Sequence, residues 1–317
     1  MVLAPPPLAT PVRRAFRFPA MFQWWHLLSL DAPTVAALWS WSMARAMHLR
    51  LPWTSPLLLA LGTWLVYVAD RILDGLPGAA GQLRERHFFY ARQRRPLLAA
   101  GVAAAGVLGW LVVAYMSPIA RREDTALFTA ALIYFFLIHL CGSKTASPNQ
   151  VSPRQSGIGQ SSVERWFPKE FAVAVVFAAA VAVPAWSRLP GDRARLAPLV
   201  ALFALLCWLN CVAIEKWERS PISTATSPGI APPHSTTQWA GRNLLLVSGG
   251  IVFLAAIAAL RSAISGLPGT MTALYFACAI SAGVFPVLDR SRLDSSQLRI
   301  AADAALLTPL LFIAVLR

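Results

Sequence analysis

The sequence predicts an all-α polytopic membrane protein, with about nine transmembrane helices in one bundle, and three observations predict it. The 317 residues are 57% hydrophobic and only 13% charged, more apolar matter than a water-soluble globule of this size carries. Nine apolar stretches are long enough to cross a hydrocarbon core of about 30 Å as helices. No alternation of apolar and polar residues suggests strands in their place.

Taken in order, residues 1–22 read as a flexible N-terminal tail and residues 23–317 as a single transmembrane helical domain. The basic start runs directly into a full-length apolar stretch that carries Trp24, Trp25 and His26. It has no small-residue cleavage site behind a short apolar core, so it does not read as a cleavable signal. The spans fall at 28–47, 54–73, 97–116, 125–141, 170–187, 196–214, 243–260, 269–288 and 300–316, the fourth and ninth being the shortest. Pro33, Gly62, Pro184, Pro286 and Pro309 lie inside them, which neighbouring helices and waters make tolerable in a membrane. The longer connections are 75–96, 143–168 and 215–242. Two of these contain Ser-, Pro-, Gly- and Thr-rich runs, 143–165 and 220–240, which composition alone reads equally well as lids or as disordered links.

Orientation follows from the basic residues, because short loops rich in Lys and Arg stay cytoplasmic. With the N-terminus inside, 19 basic residues fall on the cytoplasmic side and 8 outside, leaving Arg45 within the first span. The expectation is an integral membrane protein, in a prokaryotic cytoplasmic membrane, with its N-terminus cytoplasmic and its C-terminus outside. A net charge of +14 invites nucleic-acid binding, but the charge is dispersed through loops between spans, where it sets orientation and attracts anionic lipid. Cys141, Cys207, Cys211 and Cys278 sit in or beside apolar spans and read as small buried hydrophobes, without disulfide or zinc spacing.

Only 14 residues are acidic, and their placement is the chemical signal. Asp70 and Asp74 end the second span, four apart on one helical face about 5–6 Å from each other, where like charges repel. A helix C-terminus also disfavours anions. Glu215 and Glu218 repeat the pattern after the sixth span, and Asp289 and Asp294 repeat it more weakly after the eighth. A shared cation explains the repetition, and magnesium is held by one or two carboxylates, waters and substrate phosphates. The alternative is local ion pairing, Arg71 with Asp74 and Lys216 and Arg219 with the glutamates.

These residues carry a resemblance. The segment VYVADRILD resembles the first aspartate-rich signature of the UbiA prenyltransferase superfamily, Asn-Asp-x-x-Asp-x-x-x-Asp, with Asp70 and Asp74 on its second and third aspartates. LSLDAPTVAALWSW is similar to the family's opening helix, and RRPLLAAG, Arg94 to Gly101, to the Arg-Pro-Leu-x-x-Gly element before its third helix. Nine spans is the family's count. Val66 and Tyr67 replace the motif's first Asn and Asp, and Glu215-Lys216-Trp217-Glu218, preceded by Asn210, stands where a second motif of the form Asp-x-x-x-Asp is expected.

The resemblance implies a membrane-embedded transfer of an isoprenyl group from an isoprenyl diphosphate to a lipophilic acceptor. It implies Mg2+ on Asp70, Asp74, Glu215 and Glu218, with Arg71, Arg95, Lys144 and Lys169 as diphosphate partners and Asn210 beside the substrate. Aromatic faces would line the path of the allylic cation, with Trp39, Trp64, Tyr67 and Tyr134 as candidates. Two readings of other classes compete: a non-catalytic UbiA-like lipid-binding or scaffold protein, and a small transporter. Asp31 and Asp303 are expected either to bind substrate or to pair with Arg17, Arg299 or Arg290. Glu170 is expected to suit the dipole of a helix N-terminus. Arg45 and His48 are expected to reach the head groups, and His139 to be a hydrogen-bonded structural histidine.

Overall fold

In hydrocarbon only an internally hydrogen-bonded backbone survives, so long apolar runs fold as helices. The computed structural model describes residues 20–74, 92–126, 129, 168–219 and 234–316, and every regular element among them is helical. They are α1 (Ala20–Leu27), α2 (Asp31–Ala46), α3 (Thr54–Asp74), α4 (Arg94–Tyr115), α5 (Lys169–Trp186), α6 (Arg193–Glu218), α7 (Ser235–Arg242), α8 (Leu244–Ile264), α9 (Gly269–Asp289) and α10 (Ser295–Ala305). A 3-10 turn, Thr308–Phe312, then leads into α11 (Ile313–Leu316), and residues 118–126 are also helical.

Seven helical stretches among the described residues are long and apolar enough to cross a membrane: α3, α4, α5, α6, α8, α9 and the segment Ser295–Leu316. The first expected span appears as α2, whose 16 residues are shorter than these seven. The fourth, 125–141, lies almost wholly outside the described residues, as do Tyr134, His139, Cys141, Lys144 and the run 143–165. The N-terminal tail is likewise outside up to residue 19, but Ala20–Leu27 is helical. Two further boundaries differ from expectation. Helix α6 continues through Glu218, four residues past the predicted end of its span, and α7 occupies the end of the predicted loop 215–242. The Asp294 carboxylate accepts the backbone N–H of Gln297, whose side chain returns the bond, and this capping box starts α10. Asp294 is thus a helix cap.

The core is formed where α2, α5, α6 and α9 meet. Trp39 of α2 is fully buried, stacks on Phe203 of α6 at 4.4 Å, and donates its indole N–H to the Leu306 carbonyl at 2.8 Å. That bond matters because the last span is broken between α10 and α11, leaving carbonyls without helical partners. Ser281 Oγ of α9 donates to Ala305 O at the same break, while Arg45 Nε of α2 donates to Leu316 O at the far end of α11. Arg45 therefore holds a helix end inside the bundle.

The outer surface is apolar where it should meet lipid. Val102, Trp110 and Val113 of α4 and Leu246, Phe253, Leu260 and Ile264 of α8 are all exposed. Faces of this extent are foreign to a water-soluble monomer. The chain is an integral, multi-pass membrane protein.

Two smaller features yield predictions. A Cβ on Gly241 of α7 would meet Lys216 Cβ at 3.5 Å, ordinary contact, so Gly241→Ala should raise stability by about 0.5–1 kcal/mol through lower unfolded-state entropy. A higher thermal midpoint in detergent checks it.

At the other end of the bundle Arg193 stacks over Trp186 and pairs with Glu123 at 2.7 Å. Burial, then the neighbouring Glu123 charge, raises Asp124 from 3.8 to about 6. The fold thus favours the protonated acid, so this contribution to stability is complete below about pH 4 and is lost as pH rises through 6. Asp124→Asn should flatten the fall in thermal midpoint over that interval; an unchanged slope would refute the assignment.

Candidate functional site

One end of the bundle collects most of the polar chemistry. The C-termini of α3, α6 and α9 lie there with the N-termini of α2, α5 and α10, as four side-chain contacts show. Arg71 Nε of α3 donates to Ser29 Oγ just before α2 at 2.8 Å, and Arg299 Nη1 of α10 to Glu218 Oε1 of α6 at 2.8 Å. Lys216 Nζ of α6 donates to Asp289 Oδ2 of α9 at 2.7 Å, and Thr237 Oγ1 of α7 to Glu170 Oε2 of α5 at 3.0 Å. Leu97 in the first turn of α4 packs with Val68 and Ile72 of α3, which brings Arg94 and Arg95 to the same end.

The acidic pairs that the sequence singles out have unequal surroundings. Asp70 is exposed at the end of α3, one turn before Asp74. Glu215 accepts a hydrogen bond from Arg219 Nε, and Glu218 accepts one from Arg299. Lys216 reaches neither glutamate; it pairs with Asp289, whose second oxygen accepts the Trp217 indole N–H at 2.8 Å. Asp70 is an acid of this end that the solvent reaches. On α6 one oxygen of each glutamate is taken by a guanidinium, so an ion there would share these carboxylates with Arg219 and Arg299 or displace them.

Other expected substrate residues divide similarly. Arg95 and Lys169 are exposed. Arg71, expected to meet diphosphate, is buried and points inward to Ser29. Trp39 serves packing, and Trp64 donates its N–H to the Leu28 carbonyl at 3.0 Å. Tyr67 and Asn210 do share a site: they line one cavity of about 40 Å³ with Phe177, Cys207, Cys211 and Asp303. That volume holds a water or two, and among the described residues it has no room for a prenyl chain.

Behind the cavity wall lies a cluster that the sequence leaves scattered. His26 Nδ1 and Asp31 Oδ2 are 2.9 Å apart, and Asp31 Oδ1 accepts the Ala32 N–H at 2.9 Å. Asp303 of α10 faces them, a ligand atom from each of the three lying within 4.8 Å of the others. Asn210 Nδ2 of α6 donates to Asp303 Oδ1 at 3.1 Å. Asp31 and Asp303 thus share their surroundings with His26 and Asn210, and of the arginines expected beside them Arg299 is an electrostatic neighbour of both. Burial, only partly offset by Asp31, holds the His26 imidazole below its ordinary value and therefore neutral near pH 7. The one clue in the sequence was three polar residues, 26, 31 and 303, at the same predicted level of two spans; that they meet is a property of the packed bundle.

Fold and site together define a polytopic helical membrane protein with a polar, acid-rich end above a small buried cavity. No family model, no curated protein and no solved structure matches the chain.

Proposed function

We propose that the chain is a divergent UbiA-type prenyltransferase, moving an isoprenyl group from a magnesium-bound isoprenyl diphosphate to a lipophilic acceptor within the membrane. The observation that carries this reading is that both acid-ended helices line one cavity. Tyr67 stands one turn inward of Asp70 on α3, and Cys211 one turn inward of Glu215 on α6, beside Asn210.

In this reading Asp70 and Asp74 hold the ion, which when bound neutralises the diphosphate leaving group. Arg95 and Lys169 supply the exposed cations beside them, joined by Lys144, and Tyr67, with Tyr134, offers an aromatic face to the allylic cation. The prenyl chain lies outside the cavity of about 40 Å³. In this reading the chain has the nine spans expected from its apolar runs, and its acidic end faces the cytoplasm.

Incubation of purified protein with magnesium and radiolabelled isoprenyl diphosphates tests the proposal. Magnesium-dependent diphosphate release is the expected result; neither binding nor release would overturn it.

The second reading, a non-catalytic UbiA-like lipid-binding or scaffold protein, is favoured by the ion pairs that occupy Glu215 and Glu218. It predicts binding of isoprenyl lipids with no release of diphosphate.

A further inference from the structure

The cluster of His26, Asp31 and Asp303 is arranged for an occupant of its own. His26 is 9% and Asp31 3% exposed, well removed from water. Two carboxyls so close together need a positive charge between or beside them. Arg71 and Arg299 are the neighbouring cations, and either a bound ion or a proton shared between the two carboxyls completes the balance. Arg299 gives its Nη1 to Glu218, and Arg71 its Nε to Ser29.

A second observation points to a ligand. Asn210 is 9% exposed, its Nδ2 is fixed on Asp303, and its Oδ1 is buried without a hydrogen-bond partner among the described residues. An orphaned carbonyl oxygen in this setting is unfavourable unless something meets it. It belongs to a residue that lines, with Asp303, the cavity of about 40 Å³, room for an ion and a water.

The spacing suits a metal. Ligand atoms held at about 2.0–2.2 Å from one ion lie about 3 Å apart when adjacent in an octahedron and about 4.2 Å apart when opposite. His26 Nδ1 and Asp31 Oδ2 are 2.9 Å apart in their hydrogen bond, and an ion would take the place of the proton between them without moving the two atoms far. The third ligand atom lies within 4.8 Å of both and must come to about 3 Å from at least one of them for the three to share an ion.

The donor chemistry selects the class of ion. Alkali ions, magnesium and calcium take oxygen, whereas an imidazole beside two carboxylates and an amide carbonyl suits first-row transition metals and zinc.

We infer that His26, Asp31, Asp303 and the Asn210 carbonyl form a buried site for one divalent ion of the zinc or manganese class. The site is separate from Asp70 and Asp74 and stands whether or not the chain transfers prenyl groups.

The test uses the full chain in detergent micelles, stripped with chelator and then exposed to Zn2+, Mn2+ or Mg2+ alone. We expect one equivalent of Zn2+ or Mn2+ to be retained after desalting, with magnesium failing to compete, and Co2+ to give an absorption spectrum typical of mixed nitrogen and oxygen ligands. Asp303→Asn should weaken retention by ~100-fold or more, while Asp70→Asn leaves it unchanged. Retention of less than a tenth of an equivalent by the parent protein, which would mean that a proton alone neutralises the carboxyls, overturns the site. So does retention that Asp303→Asn and His26→Gln both leave intact, or retention that Asp70→Asn abolishes. The measurement on the parent protein does not depend on any variant folding.

Discussion

Exchange of Asp70 or Asp74 for asparagine is expected to lower magnesium-dependent diphosphate release by roughly 100-fold or more, the usual cost of removing a group that stabilises charge developing in a transition state. Asparagine keeps the shape of the side chain and removes the charge, so the loss reports on the ion and not on packing. Single-turnover release of radiolabelled diphosphate, with magnesium varied, measures it. Glu215→Gln is the informative partner. Glu215 is engaged by Arg219 on its own helix, so its loss should cost far less than that of Asp70. Equal losses at Asp70 and Glu215 would show that the guanidinium is displaced during turnover and that both helix ends grip the same ion. No loss at Asp70 or Asp74 would leave the acidic end without a catalytic role.

Arg299→Met should be the most destabilising single change at this end of the bundle. The Arg299 and Glu218 side chains are only 18% and 11% exposed, so removing the cation strands a carboxylate away from water. Breaking such a pair from one side costs about 3–5 kcal/mol, even where the intact pair contributes little net stability. The neighbouring carboxyls of Asp31 and Asp303 add to the penalty, because they lose a cation from their surroundings. Lys216→Met tests the reasoning by contrast. The Lys216–Asp289 pair is 34% and 26% exposed, and the Trp217 indole continues to satisfy Asp289, so about 1 kcal/mol or less is at stake. Unfolding in mixed micelles compares the two, and similar losses would contradict the account.

The helices were legible in the sequence to the extent that apolarity determines them. Six of the spans read from apolar runs reappear as α3, α4, α5, α6, α8 and α9, shifted by a few residues at each end. The shifts have a physical cause. Arg193 and Glu218 extend α6 beyond its apolar centre because charged side chains at helix ends reach polar partners while their backbone stays helical. Asp294 and Gln297 carried a readable capping signal, Asp-Ser-Ser-Gln, which the search for paired acids passed over.

The site was legible only in its local part. That Glu215 pairs with Arg219 follows from a spacing of four on one helix. That Lys216 chooses Asp289, that Arg71 turns inward, and that residues 26 and 31 meet residue 303 depend on how α2, α6, α9 and α10 pack. No spacing along the chain encodes those meetings.

The shortness of α2 has a further consequence for how the molecule responds to its lipids. Sixteen residues rise about 24 Å, less than the about 30 Å of a typical hydrocarbon core, and ten of the sixteen side chains of α2 are buried in protein with only Thr34 exposed. A thicker or thinner bilayer is accommodated by the tilt of helices that touch it, here α4 and α8 with their exposed apolar faces. Helix α2 has almost no lipid contact through which such mismatch could act. Reconstitution into lipids of different acyl length should therefore reorient the outer helices while leaving the separation of Asp31 and Asp303 unchanged, which makes this cluster the part of the protein best insulated from membrane thickness.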